Sequence, residues 1–391
     1  MKTMEIPFIE EIVALRRDLH AHPEVAFEET RTSETVACEL ESLGLEVYRG
    51  LAKTGVVGVL RGRGRGRSIG LRADMDALIL EEKNDLPYRS QNPGRQHGCG
   101  HDGHVAILLG AAKFLTLYRD ELDFDGTIHF IFQPAEEGEG GAKAMIDDGL
   151  FERFPMESVF GMHNWPELPE GRIAVVSGPV MASDCHLKIT VRGRGCHAAM
   201  PQQGVDTLVA ASHLVLALQT VVSRNLPPWE SAVVSVTRMH GGSAMNIIPD
   251  EAVLYGTIRS FSLKTQDAIE TAVKRLCDGI GEAFGATADV EFERRYPPTV
   301  NSDAEAKLCA RAAGSVVGLE NVVTDARPST GAEDFAYMLL KKPGAYVWLG
   351  SGDAKHAYPL HSPNYDFNDG VIATGIRYWV SLVETVLGKA R

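Results

Sequence analysis

Four short runs, VVGVL at 56–60, SIGLRA at 68–73, TIHFIF at 127–132 and SVFGM at 158–162, are apolar at nearly every position rather than at every second one. A strand that presents hydrophobic side chains on both faces must be covered on both, as inside a helix-flanked, mostly parallel sheet. Helical patterns supply that cover. Phe8, Ile12, Leu15 and Leu19 recur on one face behind Pro7, and Val36, Leu40 and Leu43 do so ahead of Gly44, a C-terminal cap. HVAILLGAAKFLTLY at 104–118 is a third helix. This alternation predicts an α/β fold.

From residue 182 the rhythm changes. HLKITV, then a helix within GVDTLVAASHLVLALQTVV, then the strand pair SAVVSVTRM and EAVLYGTIRSF lead to a helix with Ile269, Val273, Leu276, Ile280 and Phe284 on one face. TADVEFERRY closes the series, and the order β-α-β-β-α-β is that of the ferredoxin-like unit. The expected organisation is a catalytic domain in two parts, 1–181 and 297–391, interrupted by an α+β insert at 182–296.

The chain carries 39 basic and 52 acidic residues in 391, a net charge of −13, which repels phosphate backbones and anionic membranes. No nucleic-acid or membrane partner is expected. The tract RGRGRGR at 61–67 lies between two apolar runs and is expected to be a solvated hairpin turn. MKTMEIPFIEEIV has acidic residues where a signal peptide needs an unbroken apolar stretch, and no run nears the roughly 18 apolar residues of a membrane span. A cytoplasmic protein with reduced thiols is the expectation. Of the cysteines at 38, 99, 185, 196, 277 and 309, Cys99 stands out because His101 and His104 flank it.

Ligands of open α/β sheets bind beyond the carboxyl ends of the strands. There the sequence places Asp74 and Asp76, then Gln133-Pro134-Ala135-Glu136-Glu137-Gly138, then His163 and Asn164. Two further clusters are His97-Gly98-Cys99-Gly100-His101-Asp102-Gly103-His104, expected to open the helix at 104, and Leu360-His361-Ser362-Pro363. Each alone reads as a helix cap, a core histidine or a solvated face. Five such clusters at one sheet edge point to metal, because buried polar groups without partners cost several kcal/mol each. Imidazole, carboxylate and one thiolate together suit zinc, manganese, cobalt or nickel rather than magnesium or calcium.

The segments RRDLHAHPEVAFEE, LRADMDAL, HGCGHDGH, QPAEEGEGGAKAMIDDGL, GMHNWPELPEG, GRGCHAAMPQQGVD, GGSAMNIIPD, TGAEDFAYM and LHSPNYDFND resemble the amidohydrolase branch of the di-metal aminoacylase and carboxypeptidase family. That branch holds hippurate hydrolases, N-acyl-amino-acid amidohydrolases and auxin-conjugate hydrolases. The resemblance implies a di-metal exopeptidase-like catalytic domain with an inserted ferredoxin-like lid and dimerisation domain. It implies two divalent ions on Cys99, His101, Glu137, His163 and His361, with Cys99 bridging. Glu136 would be the general base and Asp74 the carboxylate that orients a ligand. Where the wider family has a metal-binding histidine two residues before that aspartate, this chain has Arg72. In the insert, His197 would polarise the scissile carbonyl, while Asn246 and Arg259 would hold the substrate carboxylate. Asp76, Asp102 and His104 remain open between capping, support of a ligand and a direct role.

The implied activity is hydrolysis of the amide bond of N-acyl-L-amino acids by a homodimer. The alternatives are a dipeptidase, carboxypeptidase or N-carbamoyl-amino-acid hydrolase on the same metals, and a non-catalytic binder of amino-acid conjugates. An intact Glu136 argues against the binder, which has no use for a base.

Overall fold

The computed structural model describes residues 4–62 and 66–388. The chain divides into two compact units, the first made of Met1–Gly178, Val300–Arg327 and Asp334–Arg391, the second of Pro179–Thr299 and Pro328–Glu333.

The first unit is built on an eight-stranded sheet in the order Glu46–Leu51, Gly55–Arg61, Thr127–Gln133, Ser68–Asp74, Ser158–Pro169, Gly344–Gly352, Ile173–Ala174, Val322–Val323. Four neighbours in its middle, from Thr127–Gln133 to Gly344–Gly352, run parallel. Gly55–Arg61, Ser68–Asp74 and Thr127–Gln133 are each buried at every position but one. That is the physical counterpart of their unbroken apolar runs. The helices Ile9–Ala21, His101–Leu117 and Ile372–Leu387 pack their apolar residues into one core with this sheet. His101–Leu117 is buried almost all round, as an interior helix requires.

Three details differ from the sequence expectations. The helix expected from 104 begins at His101, so His101, Asp102 and His104 stand in its first turn. The strand expected to stop at 162 continues to Pro169, because Gly344–Gly352 goes on pairing with it as far as Pro169 and Gly352. The strands flanking the RGRGRGR tract do not pair with each other, since Thr127–Gln133 lies between them. The tract therefore bridges a strand instead of forming a hairpin; Arg63, Gly64 and Arg65 lie outside the described residues. Arg61 and Arg67 donate at 2.8 Å to Glu46 and Glu157, so acidic neighbours occupy them.

The second unit is a four-stranded antiparallel sheet in the order Ala232–Gly241, Glu251–Ser260, Asp184–Arg192, Thr287–Tyr296. The helices Thr207–Asn225 and Leu263–Phe284 pack with it into a core containing Leu187, Ile189, Leu214, Leu218, Leu254, Ile258 and Ile269. This is the β-α-β-β-α-β arrangement. Burial alternates along Asp184–Arg192 and Thr287–Tyr296, so the sheet is covered on one face. Each helix has a side-chain cap: Asp206 accepts from Leu208 N and Val209 N, and Ser262 accepts from Thr265 N. Thr207–Asn225 and Asp369–Leu387 are long and apolar enough to cross a membrane by length and composition. Both contribute buried faces to these cores.

Candidate metal centre

The carboxyl ends of the parallel strands deliver the ligand-type side chains of the first unit. Ser68–Asp74 ends in Asp74, with Asp76 two residues on. Thr127–Gln133 is followed by Pro134, Ala135, Glu136 and Glu137, and His163 stands within Ser158–Pro169. Cys99 and His101 flank Gly100, the residue that begins the His101–Leu117 helix at φ +87°. A Cβ at Gly100 would lie 2.4 Å from the Asn164 amide nitrogen, so only glycine can turn the chain there.

Two groups of three ligand atoms form, Cys99 with His101 and His163, and Cys99 with Glu137 and His361, the atoms of each group lying within 4.8 Å of one another. The groups share only Cys99. Glu136 forms a further group of the same tightness with His101 and Glu137. Cys99, His101, Glu136 and His163 are buried, while the His361 side chain is 54% exposed.

Hydrogen bonding sorts the histidines. His163 donates from Nδ1 to the Asn164 carbonyl at 2.7 Å, which leaves Nε2 as a lone pair 3.4 Å from Cys99 Sγ. His101 meets Asp76 Oδ1 through Nδ1 at 3.3 Å, and its buried Nε2 has no hydrogen-bond partner. Glu137 Oε1 is also buried without a hydrogen bond, with His361 Nε2 at 3.4 Å and His101 Nε2 at 3.9 Å. Unsatisfied buried lone pairs aimed at one place are what a cation satisfies, so the residues fit a metal. His104 also groups with Asp74 and His101, but both of its ring nitrogens are engaged. Its Nδ1 meets Asp74 at 2.5 Å, and its Nε2 accepts from the Asn164 backbone N–H at 2.9 Å.

Asp74 and Asp76 have different partners. The Asp74 carboxylate is engaged by His104 and, at 2.6 Å, by Arg72, and it stands 3.8 Å from His101 Nε2. Asp76 Oδ1 meets His101 Nδ1 at 3.3 Å, and the second Asp76 oxygen accepts from the Glu137 backbone N–H at 2.9 Å. The sequence left Asp76 open between capping, support of a ligand and a direct role, and the resemblance anchored the orienting carboxylate on the first aspartate of the Asp-Met-Asp run. The residue before a ligand-bearing turn alternates onto the same face as its neighbour two positions back, so both aspartates were candidates. Arg72 does not replace a ligand: it is fully buried and spans Asp74, Gln133 and Asp334. Asp334 N in turn approaches Glu136 Oε1 at 3.3 Å.

Carboxylates crowd the site and set its electrostatics. Burial, and then the charges of Glu137, Glu136 and Asp74, hold the Cys99 thiol well above its ordinary value. Burial works against a charged His101, yet Asp74, Asp76 and Glu137 push it up to about 10. Burial and the neighbouring His104 keep His163 well below the usual imidazole range. A proton on His101 thus competes with a metal ion for the same carboxylate field.

The second unit places its candidates differently. His197 pairs with Ile247 in a two-stranded ribbon, and His197 and Asn246 line one pocket of about 550 Å³. Both are exposed. His197 Nδ1 accepts from Ala199 N at 3.1 Å, which leaves the proton on Nε2. Arg259 does not line that pocket. It sits on the four-stranded sheet, bonded to Asp184 and, at 2.6 Å, to Thr257 Oγ1.

The model of peptidase family M20/M25/M40 matches residues 70–385. The chain belongs to that family. Its sequence is 40% identical to a hippurate hydrolase of Campylobacter jejuni over 95% of both chains. It is 37% identical to an N-acetylcysteine deacetylase of Bacillus subtilis, over 96% of this chain and 97% of the other. Among solved structures, a dinuclear metal-binding peptidase of the M20 family from Bacillus subtilis superposes with a TM-score of 0.86 at 34% identity, covering 98% of this chain and 99% of that one. The fold is that of the dinuclear M20 peptidases.

Proposed function

We propose that the chain is a metal-dependent amidohydrolase that cleaves the amide bond of N-acyl amino acids to a carboxylic acid and a free amino acid. The observation that carries this reading is the pair of ligand groups sharing Cys99, with Glu136 beside them. Cys99, His101 and His163 would hold one divalent cation, and Cys99, Glu137 and His361 a second, of manganese, zinc, cobalt or nickel type. When bound, such ions supply Lewis acidity and lower the pKa of water towards about 7.

The chain's own residues do the rest. Glu136 takes a proton from the attacking water and returns it to the leaving amide nitrogen. The Asp334 backbone N–H holds one oxygen of that carboxyl. His197, with its proton on Nε2, donates to the oxyanion that develops on the scissile carbonyl. Asn246 and Arg259 bind the substrate carboxylate, and for Arg259 the competitor is Asp184. Asp74 acts at one remove, fixing the tautomer of His104.

The working assembly is a homodimer joined through the second unit, in which His197 of one chain serves the site of its partner. Supporting this, Val209 and Leu216 on the Thr207–Asn225 helix are exposed, as is Met239 on Ala232–Gly241, one of the two edge strands of its sheet. The names of the relatives suggest benzoylglycine and acetylated amino acids as substrates. The test is turnover of hippurate, acetylated amino acids, dipeptides and N-carbamoyl amino acids after metal removal and separate reconstitution with manganese, zinc, cobalt and nickel. Release of the amino acid from acyl substrates is the expected result. Preference for dipeptides or carbamoyl compounds moves the assignment to the corresponding alternative, and no turnover with any metal makes the protein a binder.

A further inference from the structure

The RRDLHAHPEVAFEE motif supplies none of the groups used above, yet it reaches three of the loops that carry them. Arg16 and His20 contact Asp102 Oδ2 at 3.3 and 2.8 Å, next to His101. Glu24 O accepts from Ala77 N at 2.8 Å, next to Asp76. Glu29 reaches the third loop. Its carboxyl is fully buried, accepting from Ala135 N at 2.9 Å through Oε1 and from Thr54 Oγ1 at 2.6 Å through Oε2.

Ala135 is left-handed, at φ +56°. For a residue with a Cβ this conformation is disfavoured and persists only where the surroundings enforce it. The turn is also closed from behind, with Gly141 N donating to Ala135 O at 3.0 Å. A Cβ at Gly141 would lie 1.7 Å from Pro134 O, so only glycine permits this close approach behind the turn. Glu136 and Glu137 leave the chain directly after this residue, and the left-handed twist sets their direction.

We propose that Glu29 is a positioning residue that holds Ala135 left-handed through its N–H and so aims Glu136 and Glu137 into the site. The inference rests on Glu136 being the base. Burial, aided by the charge of Asp76 and opposed by the Thr54 bond, pushes Glu29 up to about 7. An amide at this position reproduces the acceptor oxygen that the Ala135 N–H uses.

The experiment measures amide hydrogen exchange at Ala135 in the metal-free protein, together with kcat, KM and bound metal, for wild type, Glu29→Gln, Glu29→Ala and Thr54→Val. Glu29→Gln should keep Ala135 protected and kcat within about twofold, since its carbonyl still accepts. Glu29→Ala should bind two metal equivalents but exchange Ala135 at least about tenfold faster. Its kcat should fall about tenfold or more at little-changed KM, the signature of a misaligned group. Thr54→Val, which removes one of the two bonds on the carboxyl, should lower kcat about threefold and speed exchange at Ala135. It decides the matter should Glu29→Ala fail to fold. A protected Ala135 or an unchanged kcat in Glu29→Ala or Thr54→Val overturns the proposal, as does a Glu29→Gln variant as impaired as the alanine. If Glu136→Gln stays active, the base assignment fails instead, and the exchange data still judge Glu29.

Discussion

The two units carry their candidate residues in opposite settings. In the first, Cys99, His101, Glu136 and His163 are buried, and two lone-pair atoms among the ligands have no hydrogen bond. In the second, His197 and Asn246 are exposed and lie on a short ribbon beside an open pocket. A buried polar group without a partner is costly, so the first setting declares its need for a ligand. An exposed histidine is satisfied by water and declares nothing. The function of the first set is therefore visible within its own unit, whereas that of the second depends on what is brought to it.

The comparison breaks most visibly if His197 proves dispensable. His197→Ala should lower kcat by about 10²–10³, the range for losing one oxyanion donor, with both metals retained. Mixed by unfolding and refolding with Glu136→Gln, it should regain about a quarter of wild-type activity, since random pairing makes half the dimers mixed and each mixed dimer holds one complete site. No recovery would place His197 in its own chain's site.

Next in size is the carboxylate that orients His101. Asp76→Ala should weaken metal binding about 10–100-fold by equilibrium dialysis. Asp74→Ala should act mainly through the Arg72 and His104 network and lower thermal stability more than metal affinity. Equal losses of affinity would return the orienting role to Asp74.

Cys99 gives a sharper view of the buried set. Alkylation should be blocked while metal is bound and proceed after chelation, because the metal-bound thiolate is shielded. Equal labelling in both states would remove the bridging role.

The smallest effect is on stability. His20 is held by Asp102 and Glu82; burial opposes its charge, but those bonds push it up to about 9 from 6.5. A folded pKa above the unfolded one gives stability that is complete below pH 6.5 and lost as pH rises through about 9. Denaturation at pH 6 and pH 9.5 should show wild type losing up to about 3 kcal/mol more than His20→Gln over that interval. Parallel losses would mean that His20 is neutral in the fold.

What could be read from the sequence follows the same division. Unbroken apolar runs located the buried strands, and the switch to alternating patterns located the one-sided sheet. The ligand clusters stood out because polar residues ended apolar strands. Which of two aspartates two residues apart orients His101, and which of His101 and His104 keeps a free nitrogen, was not legible. The first answer rests on which carboxylate meets His101 Nδ1, the second on Asn164, from the Ser158–Pro169 strand, occupying His104 Nε2. The connection through RGRGRGR was misread for a related reason: glycine and arginine describe a solvated turn, but not which strand lies between its ends. His197, Asn246 and Arg259 came from resemblance alone, and Arg259 stands apart from the other two.

The central claim is that the five residues around Cys99 hold metal while Glu136 moves the proton. Glu136→Gln, purified and reconstituted with manganese or zinc, tests it by elemental analysis and turnover of an N-acyl amino acid on the same sample. Two metal equivalents per chain with turnover lowered by about 10²–10⁴ is the predicted result. Loss of a metal equivalent, or turnover within a few-fold of wild type, would contradict it.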